Sequence, residues 1–312
     1  MKLKSRHLLG LDGMSRKEIN LILDTAETFK EILSRPIRTV PTLRGVTVLN
    51  LFYEPSTRTR ISFELAEKRL SAEVVNFSEA ISSAQKGETL KDTVQNIEAM
   101  KTDMVVVRHQ ASGVPYFLTQ CLDSSIINAG DGAHEHPTQG LLDLFTIREK
   151  YKKIKGLKVV IVGDIKYSRV ARSDIWGFSI MGADVSLCGP TTLLPVEIEK
   201  LRVKVYSDLD KALEGADVVI VLRIQLERQT GGLLPSLREY TNKFGIIKER
   251  LKRLNENFTI MHPGPINRGV EITPEVADGP HSVILNQVTN GVAIRMAVLY
   301  LLSGGEGKVE QI

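Results

Sequence analysis

The sequence predicts an α/β protein built from two doubly wound parallel-sheet domains, and three observations carry that prediction. Short β-rich runs alternate with helical patterns along both halves of the chain, the rhythm of βαβ units. The 312 residues exceed what one core usually holds, since a domain takes ~100 to 200 residues. A hydrophobic content of 42% and a charged content of 25% are those of an ordinary globular chain with a sizeable core. A cleft between the two domains is the expected place for a ligand.

In chain order, Val46 to Phe52 is a nearly continuous apolar run and reads as a buried strand. Thr57 to Ser71 has helical spacing, Ala72 to Phe77 is the next strand, and Thr89 to Met100 the next helix. Met104 to Arg108 and Ser125 to Ala129 complete the first set of strands. Pro137 to Tyr151 carries Leu141, Leu142, Leu144, Phe145 and Ile147, giving a helix that links the halves without a floppy linker. The second set of strands is Lys158 to Val162, Asp184 to Leu187, Asp217 to Leu222 and Phe258 to Met261. A final helix, about Gln287 to Leu302, has enough apolar surface to pack back onto the first domain and make it discontinuous. The expected domains are therefore residues 1–135 with 288–312, and residues 136–287. The chain has no repeat of fixed period, and the tail with Gly304, Gly305 and Gly307 is expected to fray.

Composition excludes several classes of function. The two cysteines, Cys121 and Cys188, lie far apart without CxxC spacing, so neither a disulfide framework nor a thiolate zinc site is indicated. Lys2, Lys4 and Arg6 precede an apolar stretch that Asp12 breaks too early for a signal peptide, which points to a cytoplasmic protein. Val292 to Leu302 contains Arg295 and falls short of the ~20 residues that span a bilayer, so no membrane segment is expected. The net charge of +4 is spread over both halves without a basic run, and no nucleic-acid partner is expected.

The segment with most chemistry is Phe52-Tyr53-Glu54-Pro55-Ser56-Thr57-Arg58-Thr59-Arg60, which leaves an apolar strand and opens a helix. A strand-to-helix turn points backbone N–H groups and the positive end of the helix dipole at an anion, and the hydroxyls with Arg58 would complete a phosphate cradle. The bland alternative is a capped helix with a solvated basic first turn. Neither a Walker loop nor a GxGxxG fingerprint occurs at this position, so a nucleotide cofactor is not implied.

This segment resembles the Ser-Thr-Arg-Thr-Arg signature of the transcarbamoylases, the aspartate and ornithine carbamoyltransferases. The resemblance continues in order from roughly Leu8 to Leu302 and implies two Rossmann-like domains with the active site in the cleft between them. Ser82-Ser83-Ala84-Gln85-Lys86 is similar to the family's mobile loop, in which a Ser and a Lys, here Ser82 and Lys86, reach a neighbouring subunit's site. Arg108 ends a strand, the usual ligand edge of an open α/β sheet. The resemblance gives it the phosphate and the carbonyl oxygen of carbamoyl phosphate. His134-Glu135-His136-Pro137-Thr138-Gln139 matches a further motif, with His136 and Gln139 as site residues. A metal reading of its HxH spacing lacks a third ligand, so no metal is expected.

In the second half, Gly163-Asp164-Ile165-Lys166-Tyr167-Ser168-Arg169 and Leu222-Arg223-Ile224-Gln225-Leu226-Glu227-Arg228 resemble the aspartate branch of the family. Two separately held guanidinium groups suit a dicarboxylic acid. By resemblance Arg169 takes the α-carboxylate of L-aspartate, and Arg223 with Gln225 takes the side-chain carboxylate. His262-Pro263-Gly264-Pro265 is similar to the loop whose backbone carbonyls hold the carbamoyl amide, which gives Pro263, Gly264 and Pro265 that role. Ornithine enzymes typically carry Cys where Pro263 stands, and their Asp-x-x-x-Ser-Met-Gly motif is missing here. Many relatives have Leu or Ala where this chain has Gly264.

The resemblance thus implies carbamoyl transfer to aspartate with no cofactor, in a carbamoyl phosphate-binding domain and an aspartate-binding domain. Arg58, Thr59, Lys86, Arg108 and His136 are the expected catalytic residues, and Ser56 and Thr57 join them in holding phosphate. A homotrimer with shared sites is implied, with regulatory chains or dihydroorotase as possible higher partners. Glu54 is expected to pair with Arg169 and Arg228 when the domains close. The competing readings are an ornithine-type carbamoyltransferase, an inactive binding subunit of the same family, and a nicotinamide-dependent dehydrogenase, against which the missing glycine fingerprint argues.

Overall fold

The computed structural model describes residues 2–78, 89–228 and 231–305. The chain divides into two units, Met1–Phe145 with Thr289–Ile312, and Thr146–Val288.

The first unit opens with α1, Arg16–Ser34, whose start is closed by a capping box between Ser15 and Glu18. There follow β1 (Thr47–Phe52), α2 (Thr57–Arg69), β2 (Glu73–Ser78), α3 (Leu90–Glu98), β3 (Met104–His109), α4 (Val114–Thr119), β4 (Ser125–Asp131) and α5 (Pro137–Tyr151). The four strands are parallel in the order β2-β1-β3-β4. Strand side chains alternate between faces, so Leu49, Leu51, Val105 and Val107 share one face and bury against Val94 of α3 and Leu118 of α4.

The second unit holds β5 (Lys158–Val162), α6 (Arg169–Met181), β6 (Asp184–Cys188), β7 (Lys204–Tyr206), α7 (Leu209–Leu213), β8 (Val218–Val221), α8 (Leu237–Phe244), β9 (Thr259–Met261) and α9 (Pro274–Ala277). Its five strands are parallel in the order β7-β6-β5-β8-β9. Every residue of β8 is buried, as expected of a strand covered on both faces.

The last helix, α10 (Ile284–Leu302), is apolar on nearly all sides beyond Gly291, and from Thr289 onward it belongs to the first unit. Tyr300 meets Phe29 of α1 edge-on at 5.6 Å between ring centres, and Arg295 donates to the Ser62 hydroxyl of α2 at 2.9 Å. The division of the chain falls inside α5, whereas the sequence reading puts it at residue 135. The first turns of α5 pack with the first unit, Phe145 facing Lys30 of α1 and Leu142 lying against Gly291 of α10. Its last turn is anchored in the second unit, where the Tyr151 hydroxyl donates to the Asp217 carbonyl at 2.8 Å. Among the described residues no helix is long and apolar enough to cross a membrane.

Candidate active site

Both sheets reverse their winding at one point, between β1 and β3 in the first and between β5 and β8 in the second. The carboxyl edge at such a point is where open α/β sheets hold ligands.

On the first sheet, β1 leads through Glu54 and Pro55 to Ser56, the N-cap of α2. Ser56 is extended (φ −159°), its side chain makes no cap bond, and the first turn has no acid. Three other helices are closed by a side-chain cap with an acid in the first turn: Ser15 and Glu18 serve α1, Thr89 and Asp92 serve α3, and Ser236 and Glu239 serve α8. The start of α2 carries exposed Thr57 and Arg58 and buried Thr59 instead, a terminus suited to an outside anion.

Arg108 lies where the β3–β4 register shifts, so that its position on β3 faces two residues, Ala129 and Gly130, on β4. Its Nη2 donates to Glu54 Oε1 at 2.7 Å, its Nη1 to the Ala129 carbonyl at 3.4 Å, and its own carbonyl accepts from Tyr53 N–H at 2.9 Å. One residue thereby joins the exits of β1, β3 and β4. The Glu54 contact lies within the first unit and was not foreseen from the sequence.

Past β4, Asp131 accepts from the N–H groups of Gly113 (2.7 Å) and Glu135 (3.1 Å) and from Asn128 Nδ2 (2.8 Å), and pairs with His134 Nδ1 at 3.1 Å. Burial disfavours its charge, yet the bonds from His134, Gly113 and Asn128 prevail and hold its carboxyl below the usual range. This network shapes the turn that delivers His136 and Gln139, both buried, to the start of α5. Gln139 Nε2 donates to Asp143 Oδ1 at 3.1 Å. His134 thus serves Asp131, and no group of three His, Cys, Asp or Glu side chains is placed to hold a metal among the described residues.

On the second sheet, Asp164 follows β5 and is fully buried. Its carboxylate accepts from Tyr167 N–H at 3.1 Å and from Gln225 N–H at 3.2 Å, so one acid ties the loop after β5 to the loop after β8. Arg228 Nη1 reinforces the tie by donating to the Tyr167 carbonyl at 3.1 Å. Arg169 opens α6 and is buried, Ser168 caps that helix through Ala171 N–H, and Arg223 is half-buried just past β8. After β9, Pro263 and Gly264 are half-buried and Pro265 is exposed. Gly264 sits at φ +67°, a backbone that glycine adopts without strain.

The structure therefore gathers Ser56, Thr57, Arg58, Thr59, Arg108, His136 and Gln139 at the exits of β1, β3 and β4. It gathers Arg169, Arg223, Gln225 and Pro263 to Pro265 at the exits of β5, β8 and β9. Ser82 and Lys86 lie outside the described residues. Sequence reasoning missed two of the acids that hold these groups, Asp143 beside Gln139 and Asp164 between the loops after β5 and β8. Only the first has a local signal, an i,i+4 spacing from Gln139 on one helix.

A family profile described as aspartate/ornithine carbamoyltransferase, carbamoyl-P binding domain, matches residues 6–149. The companion profile, the Asp/Orn binding domain, matches residues 155–302. The chain belongs to the aspartate/ornithine carbamoyltransferase family. A relative from Pelotomaculum thermopropionicum, named aspartate carbamoyltransferase catalytic subunit, is 60% identical over 98% of this chain and 99% of its own. Among solved structures, the aspartate transcarbamoylase of Trypanosoma cruzi in complex with carbamoyl phosphate and aspartate is 28% identical, with a TM-score of 0.87 over 96% of this chain and 97% of that one. The ornithine carbamoyltransferase of Pyrococcus furiosus is 30% identical, with a TM-score of 0.86 over 98% and 99%. Carbamoyltransferases of both branches thus share this fold, and neither backbone shape nor identity to these two solved enzymes separates the branches.

Proposed function

We propose that this chain is an enzyme that transfers the carbamoyl group of carbamoyl phosphate to the α-amine of L-aspartate, giving N-carbamoyl-L-aspartate and phosphate, an early step of de novo pyrimidine biosynthesis. The observation that carries the acceptor is 60% identity, over nearly the full length, to a relative named aspartate carbamoyltransferase catalytic subunit. Arg169 and Arg223 at neighbouring strand exits suit a dicarboxylate, and an ornithine side chain would bring an ammonium group to the same guanidinium.

In this reading the first domain binds carbamoyl phosphate. Ser56, Thr57, Arg58 and Thr59 at the start of α2 hold the phosphate, joined by Ser82 and Lys86. Arg108, His136 and Thr59 donate to the carbonyl oxygen as it gains charge, and Gln139 with the carbonyls of Pro263, Gly264 and Pro265 orients the amide. The second domain binds aspartate through Arg169, Arg223 and Gln225. The uncharged amine attacks the carbamoyl carbon, the C–N bond forms, and the C–O bond to phosphate breaks. Phosphate leaves with the bond's electron pair and takes the amine proton. No cofactor or metal takes part.

The protein is read as a cytoplasmic homotrimer with shared sites, able to assemble further with regulatory chains or dihydroorotase. Light scattering should then report three times the 34.6 kDa chain mass. The deciding assay measures product from carbamoyl phosphate with aspartate and, separately, ornithine, without added metal. Product with aspartate alone is expected; product with ornithine alone would reverse the acceptor, and none with either would leave a binding subunit.

A further inference from the structure

We infer that Glu271 is a positioning residue for the carbamoyl donor, setting through His262 the backbone of the turn His262-Pro263-Gly264-Pro265; the inference rests on the reading that this turn holds the donor's amide. The side chains of His262 and Glu271 are both completely buried. His262 Nδ1 accepts from Gly264 N–H at 2.8 Å, so that nitrogen carries no proton. The ring proton must then sit on Nε2, which donates to Glu271 Oε1 at 3.1 Å. The same carboxylate oxygen accepts from Asn267 N–H at 2.6 Å, beyond the far end of the turn. Gln287 Oε1 receives the N–H of His262 itself at 3.0 Å.

The imidazole is thus a strut with one nitrogen on the middle of the turn and the other on an acid that also grips its exit. This matters more here because residue 264 is glycine. Without a Cβ the peptide at Gly264 has wide conformational freedom, so its direction depends on the acceptor that His262 presents and on the acid that fixes the ring tautomer. Among the described residues Glu271 Oε2 has no hydrogen-bond partner, so only one of the two carboxylate oxygens works in this arrangement.

That asymmetry supplies the test. Glu271→Gln retains the oxygen that both donors use, whereas Glu271→Ala removes it. With the full chain, Glu271→Ala should raise the KM for carbamoyl phosphate by about tenfold or more. The inhibition constant for inorganic phosphate, which has no amide, should stay within about threefold, and Glu271→Gln should restore the KM to within about threefold. An unchanged KM, an equal rise in both constants, or no rescue by Gln would overturn the inference. If Glu271→Ala does not fold, His262→Asn, which can keep an oxygen near the Nδ1 position, is compared with His262→Leu. A lower donor KM for Asn supports the strut, and equal values refute it. A wild-type chain inactive with carbamoyl phosphate would overturn the underlying reading, and the inference with it.

Discussion

Arg108 Nη2 and Glu54 Oε1 stand 2.7 Å apart at the exits of β3 and β1, joining residues 54 positions apart in the chain. Charge-assisted bonds of this length are directional, so Glu54 fixes the orientation of the Arg108 guanidinium, the group proposed to meet the donor. Glu54→Gln should lower kcat/KM by about tenfold to a hundredfold, since small misplacements of a catalytic group have that effect. Arg108→Ala should lose more, on the order of a hundredfold to a thousandfold in kcat. Steady-state kinetics on both variants checks the order; an effect of Glu54→Gln larger than that of Arg108→Ala would contradict it.

Gly163 begins the loop after β5 that leads to Arg169 and abuts Leu222, next to Arg223; these two arginines are the proposed aspartate ligands. Gly163 has φ +128°, and an added Cβ would lie 2.6 Å from the Leu222 carbonyl oxygen. Backbone atoms cannot step aside as side chains do, so Gly163→Ala must part the exits of β5 and β8. We expect a loss of about 1 to 3 kcal/mol in stability and a raised KM for aspartate, with the KM for carbamoyl phosphate less affected. Chemical denaturation and paired kinetics measure the two.

Glu67 of α2 is completely buried, and its Oε2 accepts from Asn50 Nδ2 of β1 at 2.8 Å. Burial pushes its carboxyl up from 4.5 to about 8; the Asn50 bond opposes this, and the charge of Glu64 adds to it. Between those two values the folded chain holds a proton that the unfolded chain has released. Stability therefore falls as pH rises through the window, by up to about 1.4 kcal/mol per pH unit, and levels off above it. Glu67→Gln keeps an oxygen for Asn50 and has nothing to titrate. Its Tm advantage over wild type should widen from pH 5 to pH 8; thermal melts showing a constant gap would refute this.

Cys188 is buried at the end of β6. Burial and the nearby charge of Asp208, partly offset by Arg250, push its thiol up to about 12. Thiol reagents at pH 8 should leave Cys188 unmodified in the folded protein and reach it after denaturation, which mass spectrometry of labelled peptides would resolve. Rapid native labelling at Cys188 would contradict its placement.

The legible parts of the fold were those whose signal is local. β1, β3, β5 and β8 are short apolar runs covered on both faces, so their burial is written in consecutive residues. β7 escaped notice because Lys204-Val205-Tyr206 is too short to show a period. α10 begins at Ile284, ahead of the expected start, because Leu285 is 81% exposed and sits outside any apolar stripe. The candidate site divides along the same line. Strand-exit motifs such as Ser56 to Arg60 are contiguous, and their position after a strand gives them meaning. The acids that aim them are not: Asp164 is 61 positions from Gln225 and looks like any surface charge until the sheet brings β5 beside β8.

The first unit is assembled from the two ends of the chain, and synthesis is vectorial. Ser62 receives its hydrogen bond from Arg295, 233 positions later. At roughly 5 to 20 residues per second, about 10 to 50 s separate the two on the ribosome. During that interval α1 and α2 lack Tyr300 and Arg295, while the whole of Thr146–Val288 is made as one uninterrupted segment. The segment made second can therefore close first, and the one made first is the last to be completed. A nascent chain halted before Ile294 would leave exposed the apolar surface that α10 covers in the first unit.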